Sequence, residues 1–201
     1  PDFVVLRGIE YDTRNAGHFL VIMPDGVDLK VLTLRGMSVR QLIYIVHKFG
    51  GVLGPAHPFG ARSSSAMFCR TMKRDHRIAE SFDFIEGFNT CETATANRLA
   101  RIIADRYRLQ CTGGSDSHRD KYVGTAFTVF DRTIRCNNDL IACIKEHGIV
   151  AFGGTERQFL FVHKFRNHFY TTWAFKVFNR TVGFFKAPVR RYHLKHAKGI
   201  K

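Results

Sequence analysis

Between residues 3 and 154, short apolar runs alternate with amphipathic stretches, and this alternation limits the folds open to the chain more than any other feature. The runs FVVLRGI at 3–9, HFLVIMP at 18–24, GVLGPAHP at 51–58, FDFIEGFN at 82–89, LQCTGGSDSH at 109–118, TAFTVF at 125–130 and IVAFGG at 149–154 have the length and composition of strands. SVRQLIYIVHKFGG, starting at Ser38, predicts a helix: Ser38 with Gln41 forms a capping box, Gly50 ends it, and Leu42, Ile45, Val46 and Phe49 share one face. TATANRLARIIADRY at 93–107 predicts a second helix with Leu99, Ile102, Ile103 and Tyr107 inward. NDLIACIKEHG at 138–148 predicts a third, capped by Asn138 and closed by Gly148. Strand–helix–strand order of this kind predicts an α/β chain with a parallel sheet or an α/β barrel.

In such folds the chemistry sits at the C-terminal ends of strands. Glu10 follows the first run, His57 follows GVLGPA, Asn89 ends FDFIEGFN, and Asp116 and His118 follow LQCTGGS. Side chains two apart on an extended strand point to the same side, so Asp116 and His118 can reach one point, an arrangement that suits a divalent ion. Taken alone, Glu10 reads as a solvated strand-end residue, His18 as a histidine held by backbone within an apolar run, and Asn89 as a turn cap before the next helix.

The chain of 201 residues carries a net charge of +14, and no Asp or Glu follows Glu156. Residues 155–201 therefore form a separate compositional block. In it Phe161, Phe165, Phe169 and Trp173 recur every four residues and Phe178, Val182 and Phe185 continue the stripe, which predicts one long helix or two. APVRRYHLKHAKGIK at the end reads as a mobile tail. A basic, aromatic segment draws phosphate-bearing partners, so nucleic acid is a candidate partner here. No run of 18 or more apolar residues and no signal peptide is visible, and the five cysteines are scattered without a C-x-x-C pair. These features predict a cytoplasmic protein with reduced thiols and no membrane span. The opening PDFVVLRGIEYD reads as the inside of a strand, and residues upstream of it are expected.

GIEYDT at 8–13, HFLVIMP at 18–24, GPAHPFG at 54–60, FIEGFN at 84–89, GGSDSH at 113–118 and VGTAFTVF at 123–130 together resemble the PHP family, the polymerase and histidinol phosphatase domains. The resemblance covers residues 3 to about 154. It implies a distorted (β/α)7 barrel over residues 1–154, N-terminally incomplete because the family's opening H-x-H segment does not precede Glu10, with residues 155–201 as a basic helical extension. It also implies hydrolysis of a phosphate ester by water activated on two or three divalent metal ions, zinc, manganese or iron. By resemblance the metal ligands are Glu10, His18, His57, Asp116 and His118, the catalytic residues Glu10, His57 and His118, and the supporting residue Asn89. Arg62, Arg119 and Lys121, close to the motifs in sequence, are the candidates for holding the substrate phosphate. The competing reading is a catalytically inactive relative that binds nucleic acid or a protein through the basic C-terminal segment.

Overall fold

Strand β1 (Ile9–Asp12) turns back through residues 13–17 into β2 (His18–Ile22). So short a link permits only antiparallel pairing; Asp12 lies opposite His18 and Glu10 opposite Leu20. Helix α1 (Val39–Lys48) then carries the chain to β3 (Val52–Pro55), which pairs antiparallel with β2. The helix begins at the capping box expected from the sequence: the Ser38 hydroxyl accepts from the Gln41 amide, and the Gln41 side chain accepts from the Ser38 amide. It buries Val39, Leu42, Ile45 and Val46 against Tyr11, Phe19 and Val21 of the hairpin. Short helical turns at Lys30–Thr33, Ala66–Phe68 and His76–Ser81, with α2 (Arg70–Arg74), complete this half.

The second half opens with a βαβ unit. Strands β4 (Phe84–Asn89) and β5 (Gln110–Gly114) run parallel and are joined by α3 (Ala94–Tyr107). Strands β6 (Ala126–Phe130) and β7 (Ile149–Gly154) follow, antiparallel and separated by α4 (Asn137–Lys145). Helices α5 (Phe169–Phe185) and α6 (Ala187–Lys195) end the chain. This description comes from a computed structural model and covers residues 3–60, 65–156 and 169–197.

The (β/α)7 barrel expected from the family resemblance does not form. The strands divide among three sheets, β1-β2-β3, β4-β5 and β6-β7; only β4-β5 is parallel, and no sheet closes among the described residues. The hairpin at 13–17 and the return of β3 beside β2 set the first sheet's direction, whereas a β/α barrel needs parallel strands throughout.

Three further sequence expectations need correction. Helix α3 turns Ala96, Asn97, Ala100 and Ala104 inward; of the large residues expected there Tyr107 packs on the core, while Ile102 is 47% exposed. Small side chains let this helix lie close to β4, where Asn97 exchanges hydrogen bonds with the backbone of Asn89 and Arg101 donates to Gly87 O. Helix α4 is not capped by Asn138, whose side chain instead accepts from the Asp25 amide. The stretch from residue 187, expected as a mobile tail, forms α6, with proline in its first turn and with Leu194 and Ala197 packed on the core of the first half. The outer part of the aromatic stripe, with Phe161, Phe165, His163 and His168, lies outside the described residues.

All five cysteines are free thiols, and no described helix is long and apolar enough to cross a membrane.

Tyr11 ties β1 to the 34–37 turn: its hydroxyl donates to Leu34 O at 2.6 Å and accepts from the Met37 amide at 2.9 Å. Tyr11→Phe keeps the ring but leaves both backbone groups unpaired in a buried place. It is expected to lower stability by about 1–3 kcal/mol in urea unfolding, with the far-UV spectrum unchanged.

Candidate metal centre

The β1–β2 hairpin and the turn after β3 bring Glu10, His18 and His57 together. One donor atom from each lies within 4.8 Å of the others. Glu10 Oε1 sits 2.7 Å from His18 Nδ1 and 3.1 Å from His57 Nε2, and the two imidazoles meet edge to face at 5.6 Å. Hydrogen bonds from His18 and His57 hold the Glu10 carboxyl far below the usual carboxylate range, so it is ionised, as a ligand must be. Burial resists protonation of His57, but its bond to Glu10 and the charges of Glu86, Glu10 and Asp116 outweigh that resistance and raise its pKa. One carboxylate and two imidazoles so placed fit a borderline divalent cation: three protein ligands with room for a water is the pattern of catalytic zinc sites. A cation held there would replace the protons that Glu10 shares with the two rings.

His57 occupies the left-handed region, with φ +31°, a conformation that a residue with a Cβ adopts at a cost of about 1–2 kcal/mol. The compensation comes from Glu86 on β4, whose Oε2 accepts from the His57 amide at 2.6 Å and from Asn89 Nδ2 at 2.9 Å. Ser65 Oγ, 3.3 Å from His57 Nδ1, holds the far side of the ring. Glu86 is buried, and burial pushes its pKa up to about 7 despite the opposing hydrogen bonds from Asn89 and the His57 amide.

The glycines before Asp116 have two separate reasons. A Cβ on Gly114 would lie 1.8 Å from Glu86 Oε1, and one on Gly113 would lie 2.3 Å from Phe127 O of β6. Beyond them Asp116 also adopts a left-handed conformation, φ +44°, and Cys91 Sγ contacts the carbonyls of Ser115 and Asp116, each at 3.4 Å.

The structure thus gathers Glu10, His18 and His57 of the residues expected from the sequence. Asp116 lies near enough for its charge to act on His57 and Glu86, but it stands outside the three-residue cluster. His118 is 78% exposed, with Nδ1 3.1 Å from Asp116 O, and does not join the cluster either. Asn89 reaches the centre through Glu86. Arg119 and Lys121 are exposed on the loop after β5, with Lys121 4.8 Å above the Tyr122 ring. Arg62 lies outside the described residues. Sequence reading passed over Glu86 and Asp12. The signal for Glu86 was an acid inside the apolar run FDFIEGF; for Asp12 it was an acid two residues from Glu10, on the same side of β1. Asp12 Oδ1 lies 3.7 Å from His18 Nε2, and burial raises its pKa, with His18 and Arg35 pulling the other way.

Residues 94–148 match the family model described as PHP-associated, so this stretch is similar to proteins related to the PHP domain. That stretch holds Asp116 and His118 but none of the three clustered residues. No curated protein matches the sequence. The fold is similar to the crystal structure of PsfC from Pseudomonas syringae PB-5123, with a TM-score of 0.54 at 17% identity, over 87% of this chain and 65% of that one. The chain therefore spans 65% of the length of that structure.

Glu86 gives the metal-free chain a pH signature. The folded carboxyl keeps its proton up to about 7, while the unfolded chain loses it near the ordinary 4.5. Folding takes up a proton between those values, so this group's contribution to stability falls as pH rises through that window. Urea unfolding at pH 5 and pH 8 is expected to show the decline in the wild type and a smaller one in Glu86→Gln.

Proposed function

We propose that the protein is a metal-dependent phosphoesterase, hydrolysing a phosphate ester of a small molecule, a nucleotide or an oligonucleotide. The observation that carries this reading is the convergence of Glu10, His18 and His57 within 4.8 Å, where the turn after β3 brings His57 to the two residues of the β1–β2 hairpin. Zinc, manganese or iron held there supplies a Lewis acid for a phosphoryl oxygen and a water acidified toward neutral pH. Glu10 binds in its ionised form and keeps both imidazoles turned toward one point. Ser65 and Glu86 fix the ring and the backbone of His57, so the ligand geometry is set before substrate arrives. Asp116 adds negative charge from the β5 side, and the exposed His118 beside it donates a proton to the leaving oxygen. Arg119 and Lys121 on the same loop attract the substrate phosphate.

The test is hydrolysis of a chromogenic aryl phosphate by the purified chain with Zn2+ or Mn2+. Activity is expected to vanish with chelator and return with metal. Glu10→Ala is expected to lose more than the roughly 10–100-fold that removing a residue behind a ligand costs, and Asp116→Ala about that much. Wild-type rates in Glu10→Ala sink the assignment.

A different observation favours a second reading, nucleic-acid binding by the C-terminal helices. Trp173, Phe178, Phe184 and Phe185 are exposed on α5 beside exposed Arg180 and Lys186, and rings interleaved with cations bind single strands. Binding of a single-stranded oligonucleotide is then expected to weaken steeply with salt and to ignore chelator. Salt-independent binding excludes that origin.

A further inference from the structure

The C-terminal helices reach the metal centre through a continuous chain of contacts. On α5, Asn179 turns inward: its Nδ2 donates to Asp12 Oδ2 at 3.0 Å, and its Oδ1 accepts from the Arg35 guanidinium. Arg35 Nη1 also stands 3.7 Å from Asp12 Oδ2. The other oxygen of Asp12 faces His18 Nε2 at 3.7 Å, on the ring whose Nδ1 meets Glu10. One carboxylate is thus gripped on one side by Asn179 and Arg35 and turned on the other toward a clustered histidine. A carboxylate behind an imidazole favours one orientation of the ring, the support given to metal-binding histidines; at 3.7 Å Asp12 acts on His18 through its charge and not through a hydrogen bond.

The backbone of the same turn is held from α6. Arg190 is 7% exposed and forms no ion pair among the described residues. A buried guanidinium without an acid is costly unless its hydrogen bonds are met. Its Nη1 donates to Arg35 O at 2.7 Å and to Gly183 O at 3.2 Å. Gly36, with φ +94°, makes room for it: a Cβ there would lie 3.2 Å from Arg190 Nη1. The Gly36 amide in turn donates to Asp12 O at 2.9 Å. The main chain and the side chain of Arg35 are therefore both set by residues from beyond position 178, and both settings lead to Asp12.

Resting on the metal reading above, we propose that Asn179, Arg35 and Arg190 are positioning residues of the centre: they fix the Asp12 carboxylate, and through it the imidazole of His18. Helices α5 and α6 are then a working part of the site and not only an appended basic arm.

The test is Zn2+ affinity of the full chain by chelator competition. Asn179→Ala is expected to weaken Zn2+ binding about tenfold or more. Asn179→Asp, nearly isosteric, is expected to weaken it at least as much, because it sets a second carboxylate against Asp12. Thr181→Ala, on the exposed side of the same helix, should leave the affinity unchanged. In an Asp12→Asn background the further loss from Asn179→Ala should disappear. Equal losses from Thr181→Ala and Asn179→Ala, or full additivity with Asp12→Asn, overturn the proposal. Failure of the wild type to bind Zn2+ overturns the metal reading itself. In that event amide exchange at Gly36 and Met37 decides on the clamp: both should exchange faster in Asn179→Ala and Arg190→Ala, and unchanged rates refute it.

Discussion

The centre depends on one buried carboxylate that is not itself in the cluster. Glu86 sits in β4, a strand buried along its whole length, and its Oε2 takes hydrogen bonds from the His57 amide and from Asn89. An acid alone in that place would be strongly disfavoured. Here it joins the turn after β3, its own strand, and the space left open by Gly114 on β5. Without that acceptor the left-handed backbone of His57 has no support, and the imidazole loses the fixed position from which it meets Glu10. The geometry of the three donors is thus set from the interior, through strand contacts that solvent does not reach.

Much of the local structure was legible in the sequence because local rules govern it. The capping box at Ser38, the βαβ unit from β4 to β5, and the strand cores declare themselves through spacing and turn chemistry. Glu10, His18 and His57 came from motifs and do converge. Strand direction was not legible, since period-two apolar patterns look alike in parallel and antiparallel pairs; only the short 13–17 link hinted at a hairpin. The inward side of α3 was misread because the largest apolar residues were taken as the buried ones. Close approach to β4 instead selects alanines and Asn97, and leaves Ile102 outside. The packing of α6 was hidden by its charge: nothing in VRRYHLK marks Arg190 as the one guanidinium that goes inside.

Charge distribution gives the centre a wider setting. The chain carries +14, and its C-terminal block has no acid to offset its lysines and arginines. Arg180, Arg191 and Lys195 are exposed on the two C-terminal helices and Lys186 between them, and the inner residues of those helices lead to Asp12 and His18. A positive surface beside a cluster of side chains able to hold a metal raises the local concentration of anions, most strongly at low ionic strength. The same helices thus combine two physical roles, a field on the outside and hydrogen bonds on the inside.

The double glycine before Asp116 divides this region into a rigid root and a free crown. Gly113 is wedged against the backbone of β6 and Gly114 against Glu86, so neither position tolerates a larger residue without displacing a strand or a buried acid. From Ser117 to Lys121 the backbone rises into solvent and its side chains bear on little else. Substitutions in that crown can change its surface chemistry while the root holds its place, so related chains should vary in sequence there sooner than at the two glycines.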